Sequence, residues 1–261
     1  MEDILEKICQ MRTSQLLREK ERIPLSEMRR LAENAQPRPG FIQALEKPGL
    51  SCICEVKKAS PSKGLIRADF HPAELAKAYA QAGADCISCL TEEHYFQGSS
   101  DYLREIADAV TIPILRKDFI FDEYQIYEAK AIGASAVLLI AAILDDVQLQ
   151  AFLNLAHSLG LDCLVEVHTA EEVERAQKCK PHLLGVNNRD LRTFSVDLGH
   201  TAALSAMRQT GQLFVSESGI KTNADMRTVQ KNGADAVLIG ETLMRSDNIP
   251  ATLHALREGT A

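Results

Sequence analysis

The sequence lacks an apolar segment of the ~20 residues that a membrane helix needs. Its longest apolar run, Ala134 to Leu144, is too short and is interrupted by Ser135. Residues 1–5 (MEDIL) also lack the basic start and the apolar stretch of a signal peptide. We therefore expect no membrane partner and a cytoplasmic location.

Long blocks of one charge sign are also missing. The 29 Lys and Arg residues and the 36 Asp and Glu residues are mixed along the chain and give a formal net charge of -7. Without a basic block, neither nucleic acid nor an anionic membrane is an expected partner. An anionic small molecule is compatible with this charge, provided that a local cluster of cations binds it.

The cysteines and histidines lack the spacings of disulfide frameworks and metal sites. The seven cysteines are an odd number scattered through the chain, which indicates reduced thiols. Cys86 and Cys89 form a CxxC, but on a predicted strand they point to opposite faces, so we expect neither metal binding nor redox chemistry. His168 has no histidine partner at HxH or HxxxH spacing, so we interpret it as a rim residue and expect no metal.

A repeated unit indicates the fold. Gly83, Gly133 and Gly233 each follow an amphipathic segment and precede a short apolar run, respectively CISCL, AVLLI and AVLIG. This order is typical of a helix, a glycine C-cap, a short turn and a buried strand. The spacing in multiples of 50 residues gives units of about 25 residues, the size of one strand plus one helix.

Filling in the intermediate units predicts eight apolar strands alternating with helices. The predicted strands are 52–57, 86–90, 112–116, 136–140, 162–166, 183–187, 213–216 and 236–239. Eight such units favour a closed parallel sheet covered by helices, so we predict an α/β fold with a single (β/α)8 TIM barrel. The alternative is an open doubly wound sheet, but no GxGxxG follows the first strand to support a dinucleotide site.

The residues before the first strand contain a helical pattern followed by several prolines. They carry too few apolar side chains to bury a core of their own. We therefore predict one domain, residues 1–261, in which 1–48 form an N-terminal helical extension packed on a barrel formed by 49–261.

Polar groups stand where the predicted strands end. In a barrel of this kind, chemistry is carried by the C-terminal ends of the strands and by the loops that follow. A solvated rim or structural salt bridges would explain any one such charge, but six groups at five strand ends favour a catalytic site. The six candidates are Glu55, Lys57, Lys117, Glu166, Asn187 and Glu217.

This set supports acid–base chemistry on an anionic substrate. Lysine and arginine can bind a carboxylate and polarise a carbonyl, and we expect partial burial or a neighbouring cation to lower a lysine pKa until it is a usable general acid. Glu166 is a candidate general base. Glu55 and Glu217 can orient the lysines or bind hydroxyls, and Asn187 supplies a neutral donor and acceptor.

Glycines after the seventh and eighth predicted strands favour a phosphate site. Ser218-Gly219-Ile220 follows the seventh strand, and Ile239-Gly240-Glu241-Thr242 follows the eighth, where residues 242–245 form a predicted helical turn. Phosphate sites in these barrels are frequently built from these two loops. Free backbone N–H groups there attract an anion, and glycine permits its close approach.

Over nearly its whole length the chain resembles the indole-3-glycerol-phosphate synthase family. The most specific segment is 54–62 (CEVKKASPS), which is similar to the family signature E-x-K-x-x-S-P. The other matching segments are LTEEHYFQGS (90–99), ILRKDFI (114–120), LVEVH (164–168), GVNNRDL (185–191), VSESGI (215–220) and VLIGETLM (237–244).

The resemblance implies a carboxy-lyase of tryptophan biosynthesis that acts on 1-(2-carboxyphenylamino)-1-deoxyribulose 5-phosphate. A ring carbon condenses with the ketone, and carbon dioxide and water are then lost. No organic cofactor or metal is implied, since the aniline ring accepts the developing charge. By the same resemblance, Lys117 is the general acid for the ketone oxygen, Lys57 paired with Glu55 binds substrate anions, and Glu166 is the acid/base group of the dehydration.

The resemblance also implies how the substrate is held. Asn187 and Glu217 position the intermediates, Ser218 contacts the substrate, and Arg189 lies near its carboxylate. The residues expected to wall the aromatic ring are Leu90, Phe96, Phe119, Leu138 and Leu191. The phosphate is expected to be held by Ser60, Gly219, Gly240 and the amide of Glu241.

Glu241 departs from the pattern, because some relatives carry serine there. A carboxylate cannot donate a hydrogen bond to phosphate, so we expect its backbone N–H to help and its side chain to turn away.

Two other functions would require different residues at the strand ends. A sugar-phosphate isomerase on the same barrel, such as phosphoribosylanthranilate isomerase, needs a Cys/Asp or Asp/Asp pair where this chain has lysine and glutamate. A non-catalytic phosphate sensor would have lost Lys117 or Glu166, and both are present. We expect a monomer or a weak homodimer.

Overall fold

A computed structural model describes residues 4–190 and 193–260. Eight parallel strands close into a barrel in which each strand pairs with its neighbours in sequence and the last pairs with the first. The strands are β1 Ser51–Val56, β2 Cys86–Leu90, β3 Ile114–Lys117, β4 Ala136–Ile140, β5 Asp162–Val167, β6 Leu183–Asn187, β7 Leu213–Glu217 and β8 Ala236–Ile239. The predicted (β/α)8 barrel is confirmed.

One strand begins later than predicted. β3 starts at Ile114 instead of residue 112, because Pro113 has no amide hydrogen to donate to a strand ladder. The loop after β1 also contains a small hairpin that pairs residues 59–60 with 64–65 and that the sequence did not predict.

Helices separate the strands as predicted. They are α1 Ile4–Arg22, α2 Leu25–Glu33, α3 Phe41–Leu45, α4 Pro72–Gln81, α5 Ser100–Ala109, α6 Glu123–Ala131, α7 Asp146–Ser158, α8 Ala170–Lys178, α9 Gly199–Ser205, α10 Asn223–Lys231, α11 Glu241–Met244 and α12 Ile249–Arg257. The repeated glycines Gly83, Gly133 and Gly233 have φ values of 88°, 90° and 91°. This left-handed conformation follows a helix end and favours glycine, which confirms the predicted C-caps.

The core has two layers. Alternate strand residues such as Ile53, Cys86 and Leu164 fill the barrel interior, and the residues between them, such as Cys89 and Val165, pack under the surrounding helices. Cys86 and Cys89 thus lie in different layers, which confirms that their side chains point to opposite faces.

The N-terminal extension contacts both ends of the barrel. In α3, Phe41 and Leu45 pack into the interior cluster, and the amides of Phe41 and Ile42 donate to Asp162 Oδ2 at 2.7 and 2.9 Å. In α1, Ile8 joins the same cluster from the opposite end, beside the cavity described below. We propose that extension and barrel form one domain. Within the described ranges, no helix combines the length and the apolar character needed to cross a membrane.

Candidate active site

A cavity of about 750 Å³ opens at the carboxyl ends of the barrel strands. The predicted catalytic groups that line it are Glu55, Lys57, Lys117, Glu166, Asn187 and Glu217. The predicted binding residues that line it are Ser60, Leu90, Phe96, Phe119, Leu138, Arg189, Ser218, Gly219, Gly240 and Glu241. Leu191, predicted to wall the aromatic ring, lies outside the described residues.

Lys117 lies between two carboxylates at the centre of the cavity. Its Nζ is 2.6 Å from Glu166 Oε2 and 3.1 Å from Glu217 Oε2. All three side chains point inward from the ends of their strands, and those of Glu166 and Glu217 are only 3% and 2% exposed. Asn187, at the end of β6, donates from Nδ2 to Glu166 Oε1 at 3.3 Å. Residues from β3, β5, β6 and β7 therefore form one hydrogen-bonded group.

The pKa of Lys117 is raised, whereas the sequence led us to expect a lowered value. Burial disfavours the ammonium form, as predicted, but the facing carboxylates of Glu166, Glu217 and Glu55 outweigh burial. The prediction was wrong because it considered burial and neighbouring cations and left out the carboxylates that face the amine. Lys117 is therefore an ammonium ion at neutral pH.

The two carboxylates beside Lys117 have different pKa values. Burial favours the neutral form of Glu166, but the charge of Lys117, with His168 and a hydrogen bond from Asn187, lowers its pKa to about 2. For Glu217, burial and repulsion from Glu166 prevail over Lys117 and raise the pKa to about 7. Two carboxylates with pKa values separated in this way can serve as a base and as an acid in the same site.

Glu55 and Lys57 form a second ion pair beside this group. Their side chains contact each other at the end of β1, and Glu55 is only 4% exposed. A Cβ atom added at Gly240 would lie 2.1 Å from Glu55 Oε2 and 3.0 Å from Lys57 Nζ. Glycine at this position leaves the space that the ion pair occupies.

We expect Gly240→Ala to lower kcat/KM by roughly 100-fold with little change in stability, because an added methyl group displaces Glu55 and Lys57 by about 1 Å. Steady-state kinetics and thermal unfolding measure the two effects. Gly40→Ala is the matched control: the nearest atom to its added Cβ is Gln43 Cβ at 3.3 Å, in the N-terminal extension. Equal activity of the two variants would contradict the conclusion that Gly240 leaves the space that Glu55 and Lys57 need.

An apolar wall lies across the cavity from the glycine-containing loops that follow β7 and β8. Phe96 and Phe119 are tilted neighbours with ring centroids 6.0 Å apart. The loop that carries Phe96 is shaped by Glu92, a fully buried residue whose carboxylate accepts the amides of His94, Tyr95 and Phe96 at 2.8–3.0 Å. Glu92 was not among the predicted site residues, since a glutamate in a loop is normally exposed.

The extension also contributes to this wall. Ile4, Leu5 and Ile8 of α1 line the cavity. The sequence predicted that the extension packs on the barrel, but its helical pattern carries no signal for which end of the barrel it covers.

The loops predicted to bind phosphate lie at the opposite side of the cavity. Ser218 and Gly219 both have positive φ, 68° and 91°, and a Cβ added at Gly219 would lie 2.5 Å from Val196 Cγ1. The predicted helical turn is present as α11. At its start, the Glu241 carboxylate accepts from Arg245 Nε at 3.1 Å and lies 3.9 Å from Lys63 Nζ.

Arg189 is placed by backbone contacts in the loop after β6. Its amide donates to Asn187 Oδ1 at 3.1 Å, and its guanidinium donates to the carbonyl of Phe194 at 3.3 Å. Arg116, in contrast, points away from the cavity and is fully buried under the helices, where it binds Glu128 and Asp118 at 2.6 and 3.0 Å. The alternation of side chains along β3 therefore separates a structural arginine from the catalytic candidate beside it.

His168 is not an exposed rim residue. Its side chain is 15% exposed, and Nε2 lies 3.5 Å from Glu166 Oε1. The sequence placed His168 two residues after Glu166, a spacing that allows both side chains to face the same side of a strand. In the described part of the chain, the His, Cys, Asp and Glu side chains form no group of three or more that could hold a metal ion.

Acid–base groups and an apolar wall at the same mouth of a (β/α)8 barrel define a barrel enzyme that acts on a small, partly apolar anion. Comparison with known proteins narrows this class. The family model for indole-3-glycerol phosphate synthase matches residues 5–256. The chain belongs to the indole-3-glycerol phosphate synthase family.

Similar proteins support this membership. An indole-3-glycerol phosphate synthase of Neisseria meningitidis serogroup C is 48% identical over 260 residues, which cover 98% of this chain and 100% of that protein. A protein of the same description from Endomicrobium trichonymphae is 53% identical over 218 residues, 84% of each chain. The solved structure of 3-hexulose-6-phosphate synthase from Salmonella typhimurium has a TM-score of 0.66 at 11% identity, covering 80% of this chain and 97% of that one. That last likeness shows the fold alone.

Proposed function

We propose that this chain performs the synthase reaction of its family with Lys117 as the acid and Glu166 as the acid/base group, without a metal or an organic cofactor. The substrate is 1-(2-carboxyphenylamino)-1-deoxyribulose 5-phosphate and the products are indole-3-glycerol phosphate, carbon dioxide and water. The observation that carries this assignment is the ammonium group of Lys117 held between Glu166 and Glu217 beside an apolar wall.

Ring closure requires a positively charged group beside the ketone oxygen. As the aromatic ring carbon attacks the ketone, negative charge develops on this oxygen, and the ammonium group of Lys117 stabilises it. The resulting alkoxide is far more basic than an amine, so it takes the proton even though the facing carboxylates raise the pKa of Lys117. A raised lysine pKa is therefore compatible with an acid role, since the acceptor is an alkoxide.

In the decarboxylation step, the negatively charged carboxylate of the substrate leaves as neutral carbon dioxide. In this proposal Lys57 and Arg189 bind the substrate carboxylate on entry, and Glu55 keeps Lys57 in place. Phe96, Phe119 and the residues around them surround the aromatic ring. An apolar surrounding favours loss of the charged group as carbon dioxide, and the electron pair left behind restores the aromatic ring.

Dehydration needs a proton for the leaving hydroxyl and a base for the neighbouring C–H. Glu166 exchanges these protons, and Asn187 orients it through the hydrogen bond to Oε1. Burial and the neighbouring Glu166 raise the pKa of Glu217, which favours its neutral form, and Glu217 helps to position the hydroxylated intermediate.

The phosphate is held by backbone and hydroxyl donors at the far side of the cavity. Ser60, Gly219, Gly240 and the amide of Glu241 supply them, and Ser218 contacts the neighbouring sugar. The Glu241 carboxylate is engaged by Arg245, which agrees with a side chain turned away from the anion. Lys63 and Arg245 add positive charge at the same side of the cavity.

The direct test is to incubate the purified protein with this substrate and to measure the fluorescence of the indole product. We expect product in EDTA-treated and untreated enzyme at the same rate. A complete lack of product under both conditions would reject the proposed function, and product only after metal addition would reject the metal-free mechanism.

A further inference from the structure

The reaction proposed above consumes one proton from solvent in each turnover. The substrate carboxylate carries a negative charge, whereas the carbon dioxide and water formed from it and from the ketone oxygen are neutral. Charge balance therefore requires that one proton enter the site per product released. The groups that exchange protons inside are Lys117 and Glu166, whose side chains are 14% and 3% exposed.

In the proposed function the bound substrate occupies the cavity through which solvent reaches Lys117 and Glu166. The cavity is lined by the six predicted catalytic groups, and the substrate must contact these same surfaces. Proton uptake during turnover thus needs a path that does not run through the space the substrate fills. His168 and Glu172 do not line this cavity, and both lie behind Glu166.

We propose that His168 and Glu172 form a proton relay that delivers this solvent proton to Glu166. The inference rests on the proposed function, because it requires Glu166 to be the acid/base group. His168 acts through Glu166 and does not touch the substrate, so it is a positioning and proton-transfer residue.

The geometry gives the relay two ends. His168 Nε2 lies 3.5 Å from Glu166 Oε1, while Nδ1 lies 3.5 Å from Glu172 Oε2. Nε2 is buried and has no hydrogen-bond partner among the described residues. A buried N–H without a hydrogen-bond partner is energetically costly. A small movement of the Glu166 carboxylate would therefore let Nε2 of His168 donate a hydrogen bond to it. Glu172 is 16% exposed and reaches solvent.

Glu172 is fixed at this position by the start of α8. Its Oε2 accepts the backbone N–H of His168 at 2.7 Å, and its own amide donates to the Thr169 hydroxyl at 3.2 Å. The imidazole and the carboxylate are therefore held together by the turn that connects β5 to α8. The distance between them does not depend on a flexible side chain alone.

The charges around His168 favour its protonated form. The charged groups that face it are carboxylates from three elements: Glu166 of β5, Glu172 of α8 and Glu217 of β7. Burial opposes protonation, but the hydrogen bond to Glu172 and these three charges outweigh burial and raise the pKa of the imidazole. The charges around the imidazole therefore favour the form in which Nε2 carries a proton toward Glu166.

The proton balance of the relay is complete. From the protonated form of His168, the proton on Nε2 moves to Glu166 Oε1 and leaves a neutral imidazole that keeps its proton on Nδ1. Glu166 then gives it to the leaving hydroxyl group or, through Oε2, to the amine of Lys117 after ring closure. Rotation of the ring then turns the unprotonated nitrogen toward Glu172, which takes up a proton from solvent and passes it to that nitrogen. The protonated imidazole is thereby restored, and no oxidant, reductant or other reactant is needed.

The test measures kcat against pH for His168→Asn and Glu172→Gln in weakly buffered solution, with and without added imidazole. At about pH 8, where free protons are scarce, we expect kcat to fall roughly 10- to 100-fold with KM unchanged. Added imidazole should restore kcat in His168→Asn, because a small buffer can carry the proton in place of the missing side chain. The matched control is His200→Asn, an exposed histidine of α9, which should follow the wild-type profile.

A fall in kcat that imidazole does not restore, or an unchanged pH profile, overturns the relay. His168→Gln is the second variant, in case the asparagine variant folds poorly. Failure of the relay can be distinguished from failure of the proposed function with Glu166→Gln. If Glu166→Gln is inactive and imidazole does not rescue it, while the His168 variants behave as wild type, then the relay alone is wrong.

Discussion

Lys117→Ala is expected to lower kcat by at least ~1,000-fold, because it removes both the proton donor and the cation that faces the developing alkoxide. The substitution also leaves Glu166 and Glu217 together without their shared ammonium group. Loss of one partner of a buried ion pair costs about 3 kcal/mol of unfolding free energy. Indole fluorescence and urea unfolding measure the two effects.

The loss of stability in Lys117→Ala should depend on pH. Without the amine, the pKa of each remaining carboxylate rises in the folded state, so the folded form binds protons more tightly than the unfolded form. Stability should then increase as the pH falls toward the pKa of a free glutamate. Lys130→Ala, in the helix that follows β3, is the control and should retain both activity and stability. Near-normal turnover in Lys117→Ala would overturn the acid assignment.

The barrel could be predicted because each strand-plus-helix repeat has a recognisable local sequence pattern. In three clear copies, a glycine with positive φ follows an amphipathic helix and precedes a buried strand. Gly83 and Gly133 are separated by two strand-plus-helix repeats. Errors arose where a local exception interrupts this pattern. Pro113 shortens β3, and the hairpin at residues 59–65 forms inside a loop whose sequence has no apolar alternation.

The position of the site could also be predicted, but its electrostatics could not. Strand parity places Glu55, Lys117 and Glu166 at one mouth of the barrel, since every strand of a parallel barrel ends on the same side. The sign of the pKa shift at Lys117 depends on how many carboxylates surround it in space. Glu217 lies 100 residues away in sequence yet 3.1 Å away in the structure, and no local pattern encodes that distance.

Contacts between distant segments explain the remaining omissions. Arg12 of α1 is fully buried and binds Asp118, the residue after Lys117, at 3.0 Å. Charged residues of an amphipathic helix normally face solvent, so no local pattern predicts the burial of this arginine. The ion pair nevertheless attaches the extension to the end of β3, between Lys117 and Phe119. A buried pair of this kind costs desolvation, which is acceptable where several hydrogen bonds satisfy both partners, as three do here.

Glu166→Gln is expected to separate decarboxylation from dehydration. The amide keeps the size of the side chain and its contact with Lys117 but cannot exchange protons, so kcat should fall by about 100- to 10,000-fold. Because Lys117 remains to drive ring closure, carbon dioxide release should continue in the first turnover while indole fluorescence lags. Rapid-quench measurement of both products tests this order.

The control for this variant is Glu171→Gln, an exposed glutamate of α8 that should leave both rates unchanged. Two results would contradict the assignment. If carbon dioxide release and indole formation slow in parallel, Glu166 acts before decarboxylation. If neither rate changes, Glu166 has no proton to transfer, and its low pKa then reflects only its role as a counter-ion to Lys117. The ratio of the two rates therefore decides whether this carboxylate takes part in the chemistry or only holds the lysine in place.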